Sequence, residues 1–551
     1  MKKIIWLFIL FILQNLFFAI YSQQPNQEWV QRYTWNNFAS GISIKFDSFN
    51  NVYVLMKIVS DSTLADFGLL KYYPDGNLIW STHYNSPGNL SDVPKAFVVN
   101  SAGDVYITGY SYLNTSPDKI TTVKYNSSGV LQWARVYSAG GPGDGPSSIV
   151  VDNSGNIIVV GGMAISNTLQ YALIIKYNPN GDSLWTKEFT QFPFGYIRGM
   201  ALGNSDNIYT TGDYGTNITD TNRNYLILKT NPNGILQWLS TYESQSNSDI
   251  SDYLALDSNR NVYVVGSNYA PPNLFYNTLV KLSSTGTIQW ARSYTGLLGF
   301  PSCESPGGLV LTPDGNSIYY PTECANSQGH SSIVLLKYNS LGDSVWVRQY
   351  DQGATGGVPT SSPAIKLDKY NNIYLEGFSV LPSTGNDFVT IKYLPNGALQ
   401  WVTTYNGPLS NSIDYGADLS IDTNLNVYVT GVSSRYNGNP ILWDAATIKY
   451  SQPSGVEQIF SNIPGKYKLW ENYPNPFNPN TKFKFEIPRW EMIKIVIYDI
   501  LGRQIAVLVN DKLKPGVYEA NWNAVNCTSG VYFYSLITES YRVTKKAILI
   551  K

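Results

Sequence analysis

Apolar side chains recur along most of the chain in short runs of strand length, separated by polar turns. In the run Leu399–Tyr405, Trp401 and Tyr405 stand four residues apart and therefore share one face of a β-strand. The same pairing of Trp with an aromatic residue four positions later occurs eight times, at intervals of 51 to 56 residues. The tryptophans are Trp29, Trp80, Trp133, Trp185, Trp238, Trp290, Trp346 and Trp401. A fixed period of this length predicts a repeat architecture.

Each repeat contains four predicted strands. In the last repeat the first three are residues 417–422, 426–431 and 445–450, and the fourth type is exemplified by residues 399–405. Four antiparallel strands repeated radially form one blade of a β-propeller. The sequence thus predicts an all-β protein whose residues 23–452 form an eight-bladed β-propeller.

The connections within a repeat are of two kinds. Those between the first and second strands, and between the third and fourth, are short and built from Asp, Asn, Pro and Gly, as in residues 152–156 and 178–181. These residue types favour tight turns. An Asp-x-Asx-Gly turn also suggests calcium binding, but these turns lack the length and terminal Glu of a calcium hand, which favours structural turns.

The two ends of the repeat array are incomplete. Trp29 follows no predicted third strand and lacks the Gly that stands four residues before every later repeat Trp, whereas the array ends at Tyr450 with a third strand and no fourth. We therefore predict that residues 29–33 add as the fourth strand of the last blade. This would close the ring and remove two exposed sheet edges.

The repeats resemble the bacterial SBBP β-propeller repeat, whose recurring phrase is similar to Asp422–Gly431. The resemblance covers about residues 29–450. It implies a fold, and says little about function because propellers host many activities.

The N-terminus has the pattern of an export signal. Lys2 and Lys3 precede an apolar run from Ile4 to about Ile20, and Ser22 follows as a small residue. This predicts a cleaved signal peptide at residues 1–22, with an uncleaved membrane anchor as the alternative.

Composition narrows the class of protein. Only 14% of residues are charged and the net charge is −1, which argues against nucleic-acid binding. Three cysteines are too few for a disulfide scaffold, but Cys303 and Cys324 fall at the same end of adjacent predicted strands. We expect a disulfide between them, with two free thiols as the alternative.

Binding residues are expected on the long connections, which lie at the end of each blade opposite the short turns. Aromatic residues in these loops are predicted to be exposed and to contact a ligand; the alternative is that they pack between loops. The candidates are Trp35, Tyr112, Tyr214, Tyr269, Phe275, Phe300, Tyr436 and Trp443.

An acidic residue also recurs eight positions before the first short turn. These carboxylates are Asp92, Asp144, Asp249, Glu304 and Asp414. Such a ring could collect a cation such as calcium, but capping of each acid's own loop is the favoured interpretation. We assign no metal site and no cofactor.

No catalytic motif stands out. The chain contains two histidines, His83 and His330, in different repeats, and no His-Glu-x-x-His, Gly-x-Ser-x-Gly or P-loop pattern. Whether the protein is an enzyme is left open, with non-catalysis favoured.

The pattern changes after Tyr450. Residues 453–466 lack periodicity and are interpreted as a linker, and residues 467–551 contain several short strands typical of a small immunoglobulin-like β-sandwich. Five motifs in this module resemble the type A C-terminal sorting domain of the type IX secretion system. They are residues 473–479, 498–503, 515–518, 529–534 and 544–546 with Lys551, and they include Tyr473, Pro474, Asn475, Pro476, Gly502, Gly530, Lys545 and Lys546.

This resemblance implies recognition by an outer-membrane translocon, removal of the module by a surface sortase, and an extracellular or cell-surface location. The leading functional hypothesis is a monomeric, non-catalytic propeller that binds glycan, protein or polymer through its long loops. The alternatives are an extracellular hydrolase or lyase with acids at the channel mouth, and a structural surface-layer component.

Overall fold

A computed structural model gives the conformation of most of the chain. It describes residues 24–59, 64–113, 116–138, 141, 143–166, 168–216, 222–244, 248–270, 274–296, 302–303, 305–325, 331–350, 363–381, 385–409, 412–436, 438, 441–452, 456–460, 463–524 and 527–550. The predicted signal peptide, residues 1–22, lies outside this part of the chain. Two compact units are present, Gln27–Ser451 and Gln452–Lys551.

Among the described residues, the strands of the larger unit form six sheets, and two of these have eight strands because one parallel residue pair, Phe38 with Trp443 or Gln170 with Phe194, joins two antiparallel groups. For description, the antiparallel groups are numbered along the chain as units 1 to 8. Unit 1 has β2 (Phe38–Phe46), β3 (Val52–Val59), β4 (Asp66–Tyr72) and β5 (Leu78–Tyr84). Unit 2 has β6 (Asp92–Val99), β7 (Val105–Leu113), β8 (Ser116–Tyr125) and β9 (Leu131–Tyr137). Unit 3 has β10 (Gly143–Val151), β11 (Ile157–Ala164), β12 (Gln170–Tyr177) and β13 (Ser183–Phe189). Unit 4 has β14 (Phe194–Leu202), a 3₁₀ turn (Asn204–Asp206), β15 (Ile208–Gly215), β16 (Asn224–Thr230) and β17 (Leu236–Tyr242).

The second half of this compact unit follows the same plan. Unit 5 has β18 (Ser248–Leu256), β19 (Val262–Ala270), β20 (Leu274–Leu282) and β21 (Ile288–Tyr294). In unit 6 the first strand is split into β22 (Ser302–Cys303) and β23 (Val310–Leu311), followed by β24 (Ser317–Ala325), β25 (Ser331–Asn339) and β26 (Ser344–Tyr350). Unit 7 has β27 (Ala364–Leu367), β28 (Ile373–Leu381), β29 (Gly385–Tyr393) and β30 (Leu399–Tyr405). Unit 8 has β31 (Asp414–Ile421), β32 (Val427–Tyr436) and β33 (Leu442–Ser451), and β1 (Asn26–Tyr33) pairs with β33.

The first strands of the units contact one another in order. Each lies beside the first strand of the following unit, and β31 of unit 8 lies beside β2 of unit 1. Ser43 Oγ donates to Asp418 Oδ2 at 2.6 Å and Ser420 Oγ donates to the Ile44 carbonyl at 2.9 Å, so the first and last units are joined by side-chain hydrogen bonds. The fold is β-propeller-like.

The short turn between the first and second strands is held by its aspartate, as unit 3 shows. Asp152 accepts from the Ser154 and Asn156 backbone N–H groups at 2.9 and 2.8 Å, and from Lys176 Nζ at 2.8 Å. Burial raises the pKa of Asp152, but Lys176 and Asn156 outweigh burial and hold the pKa below its ordinary value. The aspartates of these turns are therefore structural, and equivalent turns are built on Asp47, Asp257, Asp368 and Asp422.

Neighbouring units dock through the repeated tryptophan. Trp133 Nε1 donates to the Pro179 carbonyl of the next unit at 3.1 Å. Gly181 of the same turn has φ +83°, and a Cβ there would lie 2.7 Å from the Trp133 ring, so this position requires glycine. The Trp that recurs through the sequence is therefore a packing residue between units.

The C-terminal unit consists of two four-stranded antiparallel sheets around one apolar core. The first sheet contains β34 (Val456–Phe460), β35 (Lys468–Leu469), β36 (Asn480–Ile487) and β39 (Gly516–Asn523). The second contains β37 (Glu491–Tyr498), β38 (Gln504–Leu513), β40 (Gly530–Ile537) and β41 (Arg542–Leu549).

The predicted linker at residues 453–466 needs correction in part. Residues 456–460 form β34, which pairs antiparallel with β39, so this segment belongs to the C-terminal unit. A local sequence pattern does not predict this strand, because its partner, β39, lies about sixty residues further along the chain. No helix long and apolar enough to cross a membrane occurs among the described residues.

Candidate functional site

The short turns lie at one end of the units and the long connections at the other, because successive strands are antiparallel. We call the second the long-loop end: it comprises the connections between second and third strands and those from one unit to the next. Most of the sequence-predicted binding residues for which side chains are described lie here.

The aromatic side chains predicted to be exposed at this end are mostly half-buried against other rings. Tyr214 contacts Phe192 with ring centroids 4.1 Å apart, and Tyr269 contacts Phe275 at 4.9 Å. Trp443 stacks on Tyr415 at 6.4 Å. The expectation of exposed aromatic side chains is therefore corrected for Tyr214, Tyr269 and Trp443, which are half-buried because an aromatic neighbour partly covers each of them.

Trp35 follows the same rule, since it lies 5.0 Å from the His83 ring and also stacks on Tyr33. Tyr112 and Phe275 stay the most open, with 40% and 43% of their surface exposed. Phe300 and Glu304 lie outside the described residues. Tyr436 and Asp144 lie in β32 and β10, and their side chains are outside the described part of the chain.

The recurring carboxylates at this end are fully buried and hold their own loops. Asp92 accepts the Ser86 N–H at 2.6 Å, Asp249 accepts the Ser244 N–H at 2.7 Å, and Asp414 accepts the Gly407 N–H at 2.7 Å. In each case the donor lies five to seven residues earlier, in the loop that leads into the strand. Burial raises the pKa of Asp414 to about 6. This geometry is that of a loop cap rather than of a cation site.

A cluster that the sequence did not indicate lies at the long-loop end of unit 4. Asp213, at the end of β15, is completely buried and accepts from two arginines: Arg198 Nε at 2.6 Å and Arg223 Nη1 at 3.0 Å. We call Arg198, Asp213 and Arg223 the arginine pair cluster. Arg198 lies in β14, Asp213 in β15 and Arg223 immediately before β16, and the residue types at these positions do not recur from unit to unit, so the repeat pattern does not reveal the cluster.

Arg198 owes its position to a β-bulge. The pairing of β14 with β15 shifts by one residue between Ile197 and Gly199, which leaves Arg198 as the extra residue. The first strand of unit 5 shifts in the same way between Ser251 and Tyr253, leaving Asp252 extra. Bulges of this kind re-aim one side chain out of the ladder, which brings Arg198 and Asp252 from adjacent strands into electrostatic contact.

Asp252 has an unusual proton affinity. Burial raises its pKa to about 7, with Arg198 opposing the shift and Asp213 adding to it. Tyr225 and Tyr253 are the other titratable groups that interact with it. Because the folded protein favours the protonated form, stability should be lost as the pH rises from about 4, where an unfolded Asp ionises, through 7.

We therefore predict that Asp252→Asn stabilises the protein at pH 8 and has less effect at pH 5, measured as melting temperature relative to the natural chain. Asp314→Asn is the matched control, since hydrogen bonds from Thr312 and Asn316 lower the pKa of Asp314. The control should show no stabilisation that grows toward pH 8. If the melting temperatures of Asp252→Asn and the natural chain differ by the same amount from pH 5 to pH 8, the raised pKa of Asp252 is contradicted.

Two further predicted features can be placed. Cys303 and Cys324 face each other across β22 and β24 and form a disulfide. No group of three or more His, Cys, Asp or Glu side chains suited to a metal ion occurs within the described ranges.

The sorting motifs converge in the C-terminal unit. Asn475 accepts the Ile548 N–H at 3.0 Å and donates through Nδ2 to the Lys546 carbonyl at 3.2 Å. Phe477 extends this contact, because its N–H donates to the Ile548 carbonyl and its own carbonyl accepts the Ile550 N–H. The segment around Tyr473–Phe477 thus lies along β41, although about seventy residues separate the two motifs.

The remaining predicted sorting residues divide between this site and a turn. Tyr473 is 80% exposed, and the Tyr473–Pro474 and Asn475–Pro476 peptide bonds are cis. Gly530 pairs with Leu549 of β41, and Lys545 Nζ contacts Glu471 at 2.5 Å. Gly502, with φ +76°, forms the turn between β37 and β38, and Lys551 is outside the described residues.

Comparison with solved structures finds several distant matches. A polysaccharide lyase, PL25 ulvan lyase, bound to -[GlcA(1-4)Rha3S]-, has a TM-score of 0.42 and 10% identity over 61% of this chain and 90% of its own. An ancestral GH74 enzyme has a TM-score of 0.43 and 11% identity over 94% of this chain and 63% of its own. The GH93 α-L-arabinofuranosidase of Fusarium graminearum has a TM-score of 0.34 and 11% identity over 54% of this chain and 91% of its own. Similarity this distant carries no information about the activity of this chain.

Comparison by sequence identifies the C-terminal unit. No curated protein matches the chain. Residues 471–551 match the family model described as a secretion system C-terminal sorting domain, which covers the motifs that Asn475 and Phe477 bring together. This part of the chain is a type IX sorting domain, and the protein that carries it is exported by the type IX secretion machinery to the cell surface or the extracellular space.

Proposed function

We propose that the larger unit is an eight-bladed propeller closed by its N-terminal strand. The pairing of β1 with β33 supports this, as does a shared contact: Trp29 Nε1 and Lys449 Nζ both reach the Pro74 carbonyl of unit 1, at 3.2 and 3.0 Å. Trp80 and Lys71 reach the Ser127 carbonyl in the same way inside the array. The SBBP character of the repeats and the immunoglobulin-like character of the C-terminal unit belong to this proposal.

The function we propose is non-catalytic binding of an extracellular glycan, protein or polymer through the long-loop end. The observation that carries it is the role of the acids. Asp92, Asp249 and Asp414, three of the five acids on which a hydrolase or lyase mechanism was considered, use their carboxylates to hold their own loops. The same end offers rigidly paired aromatic rings and arginines, which suit binding.

The location outside the cell supports the proposed binding function. A propeller exported on a sorting domain meets polymers outside the cell, where a rigid scaffold with varied loops is an effective binding surface. We propose that a surface sortase removes the C-terminal unit, and that the propeller acts as a monomer.

A glycan array probed with the full exported chain tests the proposal. Tyr112→Ala should weaken binding, because Tyr112 is exposed at the long-loop end. Tyr370→Ala is the matched control, since Tyr370 is equally exposed, at 41% against 40%, but lies in a short turn at the opposite end.

Three outcomes decide the matter. Loss of binding in Tyr112→Ala alone supports glycan binding through the long-loop end. Equal loss with both variants, or with Tyr370→Ala alone, would contradict it. Absence of binding to any glycan or surface protein would favour the structural surface-layer alternative.

A further inference from the structure

We infer that a cleft between units 2 and 3 binds one or two sugar rings of a neutral glycan. The cleft has a volume of about 360 Å³ and lies between β9 of unit 2 and the third and fourth strands of unit 3, β12 and β13. Because it is separate from the long-loop end, this inference goes beyond the proposed function, and either can fail without the other. Three observations carry it: a small residue that leaves the cleft open, apolar walls, and polar groups at the rim.

The cleft is open because unit 3 has a small residue where most units have a large one. Ser183, the first residue of β13, pairs with Tyr177 of β12. The residues at the equivalent position of the other units with a complete fourth strand are Leu78, Leu131, Leu236, Ile288, Ser344 and Leu399. In unit 7, Leu399 packs against the core cluster that contains Tyr393 and that Tyr350 of unit 6 also contacts. A serine at this position fills less space, and the cleft results.

The walls of the cleft are mainly apolar and aromatic. Tyr137 of β9 and Ile175 and Tyr177 of β12 line it. Val136 of β9 also lines it and is 46% exposed. The volume and this kind of lining are typical of a small-molecule site, and aromatic rings present a flat apolar face on which the C–H face of a sugar ring can pack.

Arg135 completes the wall and is held by the protein. Its Nε donates to the Gly181 carbonyl at 2.8 Å, and its guanidinium lies 5.6 Å from the centre of the Trp133 ring. Its terminal nitrogens donate to the carbonyls of Ala134 and Asn180 at 3.1 and 3.3 Å. We therefore assign Arg135 a supporting role and not that of an anion-binding group.

The rim of the cleft carries two polar side chains, those of Asp182 and Ser183, which are both exposed. Asp182 Oδ2 accepts from Asn178 Nδ2 at 2.9 Å, so the turn fixes the carboxylate in place. A carboxylate accepts hydrogen bonds, and a serine hydroxyl both donates and accepts them, as sugar hydroxyls require. The charged residues that line the cleft, Arg135 and Asp182, have opposite signs, which favours a neutral ligand.

The inference is tested with the full exported chain and four disaccharides. Cellobiose, maltose and N,N′-diacetylchitobiose are neutral, and digalacturonate is anionic. Binding is measured by calorimetry at fixed ionic strength. The natural chain should bind at least one neutral disaccharide. It should bind digalacturonate about tenfold or more weakly than that sugar, because the Asp182 carboxylate lies at the rim.

Two substitutions of Ser183 grade the effect. Ser183→Leu introduces the residue of the equivalent position in units 1, 2, 4 and 7, fills the cleft, and should weaken binding by about tenfold or more. Ser183→Ala keeps the cleft open, removes one hydroxyl, and should weaken binding about two- to tenfold. Because leucine is accommodated at this position in four other units, Ser183→Leu should melt at or above the temperature of the natural chain.

Ser154→Leu is the matched control. Ser154 is an exposed serine in the other short turn of unit 3 and is not among the residues that line the cleft. This variant should bind the disaccharides like the natural chain. If the melting temperature shows that Ser183→Leu does not fold, Ser183→Ala decides by the same comparison.

The contrary results separate the cleft from the long-loop end. Absence of binding to all three neutral disaccharides, or unchanged affinity in folded Ser183→Leu, would overturn the inference. Equal loss in Ser154→Leu, or binding of digalacturonate as tight as that of the neutral sugars, would do the same. Loss of disaccharide binding in Tyr112→Ala and not in Ser183→Leu would refute the cleft while supporting the proposed function.

Discussion

Removal of residues 27–34 should lower the stability of the propeller by several kcal/mol. The deletion takes away most of β1, leaves the edge of β33 open, and uncovers the rings that Trp29 contacts in units 1 and 8, Tyr72 and Tyr428. It also removes Arg32, whose loss leaves Asp444 buried with one arginine fewer. Thermal unfolding of the shortened and intact chains measures the effect.

Point substitutions make the same test without shortening the chain. Trp29→Ala and Trp80→Ala should each cost about 3 kcal/mol, because both rings cover a turn glycine of the next unit, Gly76 and Gly129. A stable Trp29→Ala variant beside a destabilised Trp80→Ala variant would show that Trp29 does not belong to the blade series.

Loss of the last eight residues should keep the protein from reaching the cell surface. The deletion of residues 544–551 removes Ala547 and Leu549, each 1% exposed, from the core of the sorting domain. It also leaves Asn475 and Phe477 without their partners on β41. Cell fractionation with immunodetection should find the shortened chain inside the cell envelope and the natural chain outside.

A milder variant separates recognition from collapse of the core. Asn475→Ala removes only the side-chain bonds that attach the Tyr473–Phe477 segment to β41 and should reduce export. Asn478→Ala, at an exposed position in the same motif, should be exported normally. Surface delivery of the chain without residues 544–551 would refute the sorting role.

The sequence predicts the regular part of the fold because that part is locally encoded. The fourth strand at residues 399–405 has the predicted bounds, since a proline-asparagine-glycine turn and the Trp–Tyr spacing define it. The first strand of unit 8 begins at Asp414, three residues earlier than predicted. A bulge at Gly416–Asp418 lets the ladder continue, and such a bulge has no clear mark in sequence.

The sequence predicts the candidate functional site less completely than it predicts the regular strands. The loop-capping acids follow the repeat period and so could be aligned, and their favoured interpretation as caps agrees with the geometry of Asp92, Asp249 and Asp414. Arg198 occupies a bulge position that recurs from unit to unit, but the residue types at Arg198 and Asp213 do not recur, and their contact depends on that bulge. Non-local contacts of this kind are where a binding site departs from its scaffold.

The claim that the N-terminal strand completes the last blade is tested most directly by a double-mutant cycle between Arg32 and Asp444. Arg32 lies in β1 and its Nη2 is 3.2 Å from Asp444 Oδ2 in β33. The variants are Arg32→Met, Asp444→Asn and their combination, and the free energy of unfolding of each is measured in denaturant. A reference cycle combines Arg32→Met with Asp213→Asn, a buried aspartate of unit 4. A coupling energy of about 1–3 kcal/mol for Arg32 with Asp444, and close to zero for the reference, is the predicted result. A coupling within about 0.5 kcal/mol of zero for both cycles would contradict closure of the ring by β1.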